Sequence, residues 1–394
     1  MLLMWHSLPN WHGISTALLG LIALVWVIQV IDIAIGVPTI PSLDRVEPLN
    51  DADCPSVSIL FAGRDEGEKI GAAVASFLAV DYPRLEVIAV NDRSSDATQS
   101  ILELAAAADN RLRAVNVTEL PAGWLGKTHG LQQAYEHSTG EWLIFTDADV
   151  RFAPDVLRRA VAVAESKHWD HMPLFGHAEM FTFGEKLIMT FFALGFVVGM
   201  KAWRASNPKS RFYVGVGAFQ LIRRSAYEKM GAHKRLAMEV VDDIKLGKLV
   251  KDFGFRSGVA TAGRRVSVHW HSGLGNIIRG TTKNFFATAQ YNPAIASGQL
   301  LGVFGVSVLP WIAFFFVQGW ARVFAAVAIG LAIIVQGGVA VAFEESPLYG
   351  ATHPVGALIM CWMLLRSMAV TLWNGGVTWR GTFYPLKDLK RGLV

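Results

Sequence analysis

Charge is nearly absent from both ends of this chain, and that distribution limits what it can fold into. Of 394 residues, the first 37 carry one charged side chain, Asp32, and residues 300–373 carry four: Arg322, Glu344, Glu345 and Arg366. Most other acids and bases crowd into residues 38–299, whose composition is that of a water-facing domain. The average of 52% apolar and 17% charged therefore comes from blocks, where soluble domains sit near roughly 45–50% and about 25%. A disordered chain, a fibrous repeat, a disulfide scaffold and a purely soluble protein are excluded. The long charged middle also argues against a polytopic transporter.

The two cysteines, Cys54 and Cys361, lie far apart and imply no disulfide framework. A net charge of +4 gives no concentrated basic face for nucleic acid. Two local basic clusters, Lys201/Arg204/Lys209/Arg211 and Arg223/Arg224/Lys229/Lys234/Arg235, read either as solvated surface or as a face toward anionic headgroups or a diphosphate.

Ile14 to Val37 is long enough to cross a hydrocarbon core of about 30 Å as a helix. It lacks a basic leader and a small-residue cleavage site, which predicts an uncleaved anchor. Asp32 is then expected at the interface or against another helix. Leu300–Val317 and Arg322–Phe343, separated by a four-residue turn, read as a helical hairpin, and Pro354–Leu372 is a third segment. Pro310 predicts a kink in the first. If the middle domain is cytoplasmic and every segment crosses, the tail ends outside. Yet it carries Arg380, Lys387, Lys390 and Arg391 against Asp388, and basic flanks prefer the cytoplasm. Either one segment is re-entrant or the tail departs from that rule. Leu187–Met200 is too short to span and predicts a buried or an interfacial helix.

In the middle domain Val57–Phe61, Glu86–Val90 and Trp142–Thr146 are short apolar runs, the first two followed by helix-like stretches. That alternation predicts parallel strands with crossover helices. Ligands in open α/β sheets bind beyond the carboxyl ends of strands. Here those ends are Arg64-Asp65-Glu66, Asn91-Asp92-Arg93 and Asp147-Ala148-Asp149, an acidic site. Two carboxylates one residue apart suit a hard divalent ion whose other positions phosphate oxygens fill. No Gly-Lys-Ser/Thr phosphate loop and no Gly-x-Gly-x-x-Gly is present, so a metal-held diphosphate is expected rather than one cradled on a helix terminus.

These residues, in this order, resemble family 2 glycosyltransferases of the GT-A fold. Gly123–His129 (GWLGKTH) and Val377–Tyr384 (VTWRGTFY) are similar to the membrane-anchored branch that glycosylates lipids: hopanoid-associated, carotenoid (diaponeurosporenoate) and ceramide glucosyltransferase-like enzymes. The expected fold is α/β, a GT-A nucleotide-diphospho-sugar transferase domain with flanking transmembrane helices. Its expected divisions are an anchor at 1–40, the GT-A domain with interfacial helices at 41–299, two or three membrane helices at 300–375, and a basic tail at 376–394.

The resemblance implies roles by position. Arg64, Glu66 and Asp92 line the nucleotide pocket, Lys127 approaches the nucleotide or its diphosphate, and Asp147 and Asp149 are the metal motif for Mg2+ or Mn2+. Gly215 and Gly217 belong to a loop beside the donor sugar. Asp243, with Asp242 before it, matches the general base; adjacent carboxylates raise one another's pKa, which suits a base near neutrality. Both acids also suit the first turn of a helix. The Gln/Arg-x-x-Arg-Trp motif of processive synthases is reduced here to Asn276-Ile277-Ile278-Arg279-Gly280, which leaves Arg279 as a partial match. His269 and His271, alternating on an expected strand, are further metal candidates or a hydrogen-bonded pair.

The resulting expectation is an inverting, metal-assisted hexosyltransferase of a bacterial inner membrane, its domain cytoplasmic. It would take a nucleotide sugar, a UDP-sugar first, and a lipid acceptor gathered by Phe181–Trp203 and the segment around Phe285, Phe286 and Tyr291. A polyprenyl-phosphate glycosyltransferase and a non-catalytic nucleotide-sugar-binding scaffold are the alternatives.

Overall fold

The structure, a computed structural model, describes residues 11–394, so the first ten residues of the expected anchor lie outside the described residues. The chain begins with α1 (Trp11–Gly36), β1 (Val57–Gly63), α2 (Ile70–Leu78), β2 (Leu85–Asp92), α3 (Thr98–Ala108) and β3 (Leu112–Val117). It continues through α4 (Gly126–Glu136), β4 (Trp142–Phe145), β5 (Val150–Phe152), α5 (Val156–Ser166), β6 (His171–Ala178) and α6 (Phe183–Met200). Next come β7 (Gln220–Arg223), α7 (Arg224–Lys229), α8 (Asp242–Asp252), β8 (Ala260–Val268), α9 (Leu274–Thr281) and α10 (Phe285–Thr288). Then follow α11 (Pro293–Ser307), α12 (Leu309–Phe314), α13 (Gly319–Ala342) and α14 (His353–Asn374). The end of the chain is β9 (Gly376–Trp379), β10 (Thr382–Pro385) and α15 (Leu386–Arg391).

Two units result. A sheet unit comprises Pro38–Glu179, Met200–Trp270 and Leu372–Val394; a helical unit comprises residues 11–37, Met180–Gly199 and His271–Thr371. The sheet runs β3-β2-β1-β4-β7-β6-β8-β5. As the alternation predicts, β1 pairs in parallel with β2 and with β4, so Gly63, Asp92 and Phe145 end on one edge. These strands are buried on both faces, which explains their unbroken apolar character. Ile59, Phe61, Val87, Ala89 and Ile144 join one core with α2 and α5. Leu60, Ile88, Val90, Leu143 and Phe145 join a second core with α4 and α8. Each large side chain so buried contributes about 1.5–3 kcal/mol.

One expectation changes here. Strand β8 stops at Val268, which pairs with Val150 at the start of β5 and with Ala178 at the end of β6. Without partners beyond that point, His269 and His271 do not alternate on a strand, and they fall into different units. The chain's end is folded: β9 and β10 form an antiparallel hairpin, Leu389 is buried, and the Val394 amide donates to Glu239 Oε1 at 2.6 Å.

In the helical unit, α1 lays Leu19, Ile22, Ala23 and Trp26 against α13, whose facing residues are Ala321, Ala325, Ala328 and Ala332. Small residues at that spacing let two backbones approach closely. Helix α6 starts earlier than its apolar run because Thr182 and Glu185 form a capping box, each side chain accepting the other's amide at 3.3 Å. The expected break at Pro310 falls at Val308, between α11 and α12. Phe286 and Tyr291, expected at an acceptor surface, are fully buried and pack edge to face. By length and composition, five described helices could cross a membrane: Trp11–Thr39, Phe183–Arg204, Pro293–Phe314, Gly319–Ala342 and Pro347–Asn374.

Phe61 is fully buried with its ring 5.4 Å from that of Phe77. Phe61→Ala should therefore destabilise the protein by about 3–5 kcal/mol, read as a lowered unfolding midpoint in detergent. The exposed Leu104 on α3 supplies the control, whose change to Ala should leave the midpoint in place.

Candidate active site

Each strand end contributes through a short turn whose geometry the sequence enforces. After β1, Asp65 has φ +53°, and after β2, Arg93 has φ +55°. Such left-handed residues cost energy unless their surroundings hold them. Here the two turns hold each other. The Ser95 amide donates to Asp65 Oδ1 at 2.7 Å, the Asp65 amide to Ser94 Oγ at 3.0 Å, and the Glu66 amide to Thr98 Oγ1 at 2.8 Å. Asp92 is buried and gripped by Arg93 through two bonds of 2.7 and 3.0 Å.

The third strand end carries the densest charge. Lys127, in the first turn of α4, places its ammonium 2.9 Å from Asp147 Oδ1 and 3.4 Å from Asp242 Oδ1. Burial works to discharge it, but Asp147, Asp242 and Asp243 outweigh that and hold its pKa above the ordinary lysine range. Asp242 is raised from 3.8 to about 6, first by burial, opposed by Lys127, then by the charges of Asp243 and Asp147. Asp149 is also raised, by burial and then by Asp147, against the pull of Lys69 at 3.2 Å.

Gly217 shows how close the halves of the site are. A Cβ there would lie 2.8 Å from Asp147 Oδ2 and 3.2 Å from Asp243 Oδ2. Gly215 admits no side chain either, because its Cβ would fall 1.8 Å from the Asp243 carbonyl oxygen. The structure thus brings together Lys127, Asp147, Asp242, Asp243, Gly215 and Gly217 on one locus of the sheet unit, while Arg64, Glu66 and Asp92 line the neighbouring strand ends. Arg279 and His271 belong to the helical unit, where Arg279 donates to Asn276 Oδ1 at 2.7 Å. His269 contributes its backbone, its carbonyl accepting from Lys69 Nζ at 3.3 Å. Arg223 and Arg224 of the second basic cluster are tied within the fold, to Glu141 and Glu165 and to the Gly140 carbonyl.

Lys69 was not singled out in the sequence, although it lies three residues after Glu66, at the N-cap of α2. Whether this donor set fits a divalent ion can be judged from the ammoniums. Asp147 and Asp149 each hold a lysine at about the distance of an ion pair, so cationic charge is already demanded at both carboxylates. Among the described residues no group of three or more His, Cys, Asp or Glu forms a self-contained metal cage. Two carboxylates at a strand end fit an ion that completes its shell with phosphate oxygens.

The sequence and the fold are both similar to those of known glycosyltransferases. The family model for glycosyl transferase family 21 matches residues 24–391. A 4,4'-diaponeurosporenoate glycosyltransferase of Staphylococcus haemolyticus is 24% identical over 197 residues, 49% of this chain and 51% of that protein. A beta-monoglucosyldiacylglycerol synthase of Trichormus variabilis is 32% identical over 109 residues, 27% of this chain and 23% of that one. The matches thus span about half or less of these relatives. A mannosyltransferase from Pyrobaculum calidifontis in complex with GDP-Man and Mn2+ superposes with a TM-score of 0.52 at 20% identity, covering 90% of this chain and 99% of that chain. It shares the GT-A sheet, which bears out the α/β fold read from the strands.

Removing the lysine tests the cluster. Lys127→Met should lower the unfolding midpoint, and adding Asp242→Asn should recover part of the loss, with a coupling of about 1 kcal/mol or more in a double-mutant cycle. The pH dependence has a definite sign. A carboxyl raised to about 6 contributes stability that is full below its ordinary 3.8 and lost as pH climbs through 6. Asp242→Asn should flatten that segment of the stability curve.

Proposed function

The chain belongs to glycosyl transferase family 21, and from that premise we propose that it moves a hexose from a nucleotide-diphosphate sugar to the hydroxyl of a membrane lipid. The observation that carries this reading is the approach of the Asp147 and Asp243 carboxylates to one point, 2.8 and 3.2 Å from where a Cβ on Gly217 would stand. A donor held at Asp147 would present its sugar beside the glycine loop, with the Asp243 carboxylate next to it. Asp243 would take the proton of the acceptor hydroxyl as the new glycosidic bond forms, and the nucleoside diphosphate would depart from the opposite face of the sugar. Asp243 is half-buried, whereas Asp242 is buried against Lys127. That difference supports Asp243 as the base and Asp242 as the group that holds Lys127 in place.

Arg64, Glu66 and Asp92 would bind the nucleotide, with Lys127 offsetting phosphate charge. Asp149 and Asp147 would hold Mg2+ or Mn2+, which when bound supplies positive charge to the departing diphosphate. The lipid acceptor is supported by the five apolar helices and by the names of the two lipid-acting relatives.

Chain continuity also bears on the membrane. Residues 38–179 and 200–270 build one sheet, so the intervening α6 cannot cross from one face of the bilayer to the other and leave them together. The same parity applies to 271–371, because 372–394 belongs to that unit again. An even number of the three apolar helices there would cross, and the basic tail would share the face of the catalytic sheet. This reading supports a non-crossing segment over a tail that departs from the charge rule.

In detergent with Mg2+ or Mn2+ and a lipid extract, the wild-type protein should transfer sugar from a nucleotide donor. Asp243→Asn should keep nucleotide affinity and lose transfer by 100-fold or more, on the order of what a positioned base supplies; normal turnover in that variant would refute the base assignment. For topology, Glu119→Cys and Lys387→Cys, both exposed, should react with an impermeant maleimide from the same face. Labelling from opposite faces would overturn the parity argument.

A further inference from the structure

We propose that the β9–β10 hairpin is a wall of the donor pocket and that Arg380, at its tip, is a donor-positioning residue acting through Glu66. The inference rests on the glycosyltransferase reading above and assigns a role to a segment more than 300 residues away in sequence from the pocket it touches.

The hairpin turns in two residues, since Trp379 pairs with Thr382. Arg380 has φ +48° and Gly381 φ +75°, the pattern of a tight turn whose first position ordinarily takes Asn, Asp or Gly. An arginine kept in that backbone conformation points to a use for its side chain. Its guanidinium ion-pairs with Glu66 and reaches the Asp65 carbonyl at 3.5 Å. Asp65, Arg93 and Arg380, three of the non-glycine residues in left-handed conformation, therefore gather around one pocket.

Two further contacts pin the hairpin to the other strand ends. Arg64 Nη1 donates to Thr382 Oγ1 at 3.2 Å, while Arg64 Nε is buried and makes no hydrogen bond. The Gly126 amide donates to the Tyr384 hydroxyl at 3.1 Å, immediately before Lys127. Gly126 is itself pressed on Asp92, since a Cβ there would lie 2.3 Å from Asp92 Oδ2. Arg64, Glu66, Asp92 and Lys127, the four groups assigned to the donor nucleotide, are thus each held directly or at one remove by residues 380–384. These contacts all reach groups assigned to the donor, so the expected consequence is an effect on donor binding separate from acceptor use.

The experiment uses the full-length protein in detergent and compares wild type, Arg380→Gln, Arg380→Lys and Thr382→Val. Titrations with UDP and with GDP, each with Mn2+, accompany steady-state kinetics. Arg380→Gln should raise the donor KM and the nucleotide Kd at least tenfold while kcat and the acceptor KM stay within threefold. Arg380→Lys should recover much of that loss, and Thr382→Val should raise the donor KM severalfold with an unchanged unfolding midpoint. A donor KM that stays at the wild-type value in Arg380→Gln, or a loss shared equally by kcat and acceptor KM, would overturn the hairpin's role and leave the enzyme reading intact. A wild-type protein that neither binds a nucleotide nor transfers sugar would overturn both.

Discussion

The ammonium of Lys127 is the point on which the site depends. A lysine ammonium drawn partly out of water is costly unless anions surround it, and here Asp147 and Asp242 lie within 3.4 Å while Asp243 adds its charge. Those residues come from the end of β4 and the start of α8, so one cation joins the metal-motif loop to the acidic turn. The same crowding makes both lysine and carboxylates sensitive to each other's loss. It also sets Asp147 and Asp149 each beside a lysine, Lys127 and Lys69, and two carboxylates so placed suit a hard divalent ion.

Much of this was legible because the signals are local. The β1, β2 and β4 runs are short and apolar, they are buried on two faces, and acids follow two of them and a basic-acidic turn the third. Order along the chain then sufficed to put Glu66, Asp92 and Asp147 on one edge. The pairing of Lys69 with Asp149 could not be read the same way, since the two residues are 80 apart and nothing in either neighbourhood names the other.

 Asp149 reaches Lys69 only because the sheet sets β4 beside β1. The same holds for Arg380 on Glu66 and Tyr384 on Gly126, contacts that cross most of the chain. The hairpin residues stood out as a pattern, but only the fold gives them a neighbour. His269 and His271 went the other way: their alternation suggests a strand, yet β8 runs out of partners at Val268. A period of two needs a ladder to act on.

The apolar blocks at the two ends, and the stretch at α6, assemble into a unit of their own, held by small-residue packing of α1 on α13 and by buried polar contacts. Gln336 illustrates the latter, accepting from or donating to His353, Tyr349 and Thr352 at 2.8–3.3 Å. Polar groups in an apolar surrounding must find such partners. The chain leaves the sheet unit and returns to it twice after α1, and each return brings back residues the sheet or its pocket needs: β7, α8 and β8 after α6, the hairpin after α14. The helical unit and the sheet unit are thus interleaved in sequence while each is built from its own contacts.

The proposed transfer of a sugar to a lipid at the Lys127-centred carboxylates is reported most directly by the lipids themselves. Mass spectrometry of total lipid from cells expressing the wild-type chain, the Asp243→Asn chain or neither should show a lipid one hexose heavier in the first alone. The same lipid profile in all three, or a hexosylated lipid that persists with Asp243→Asn, would contradict it.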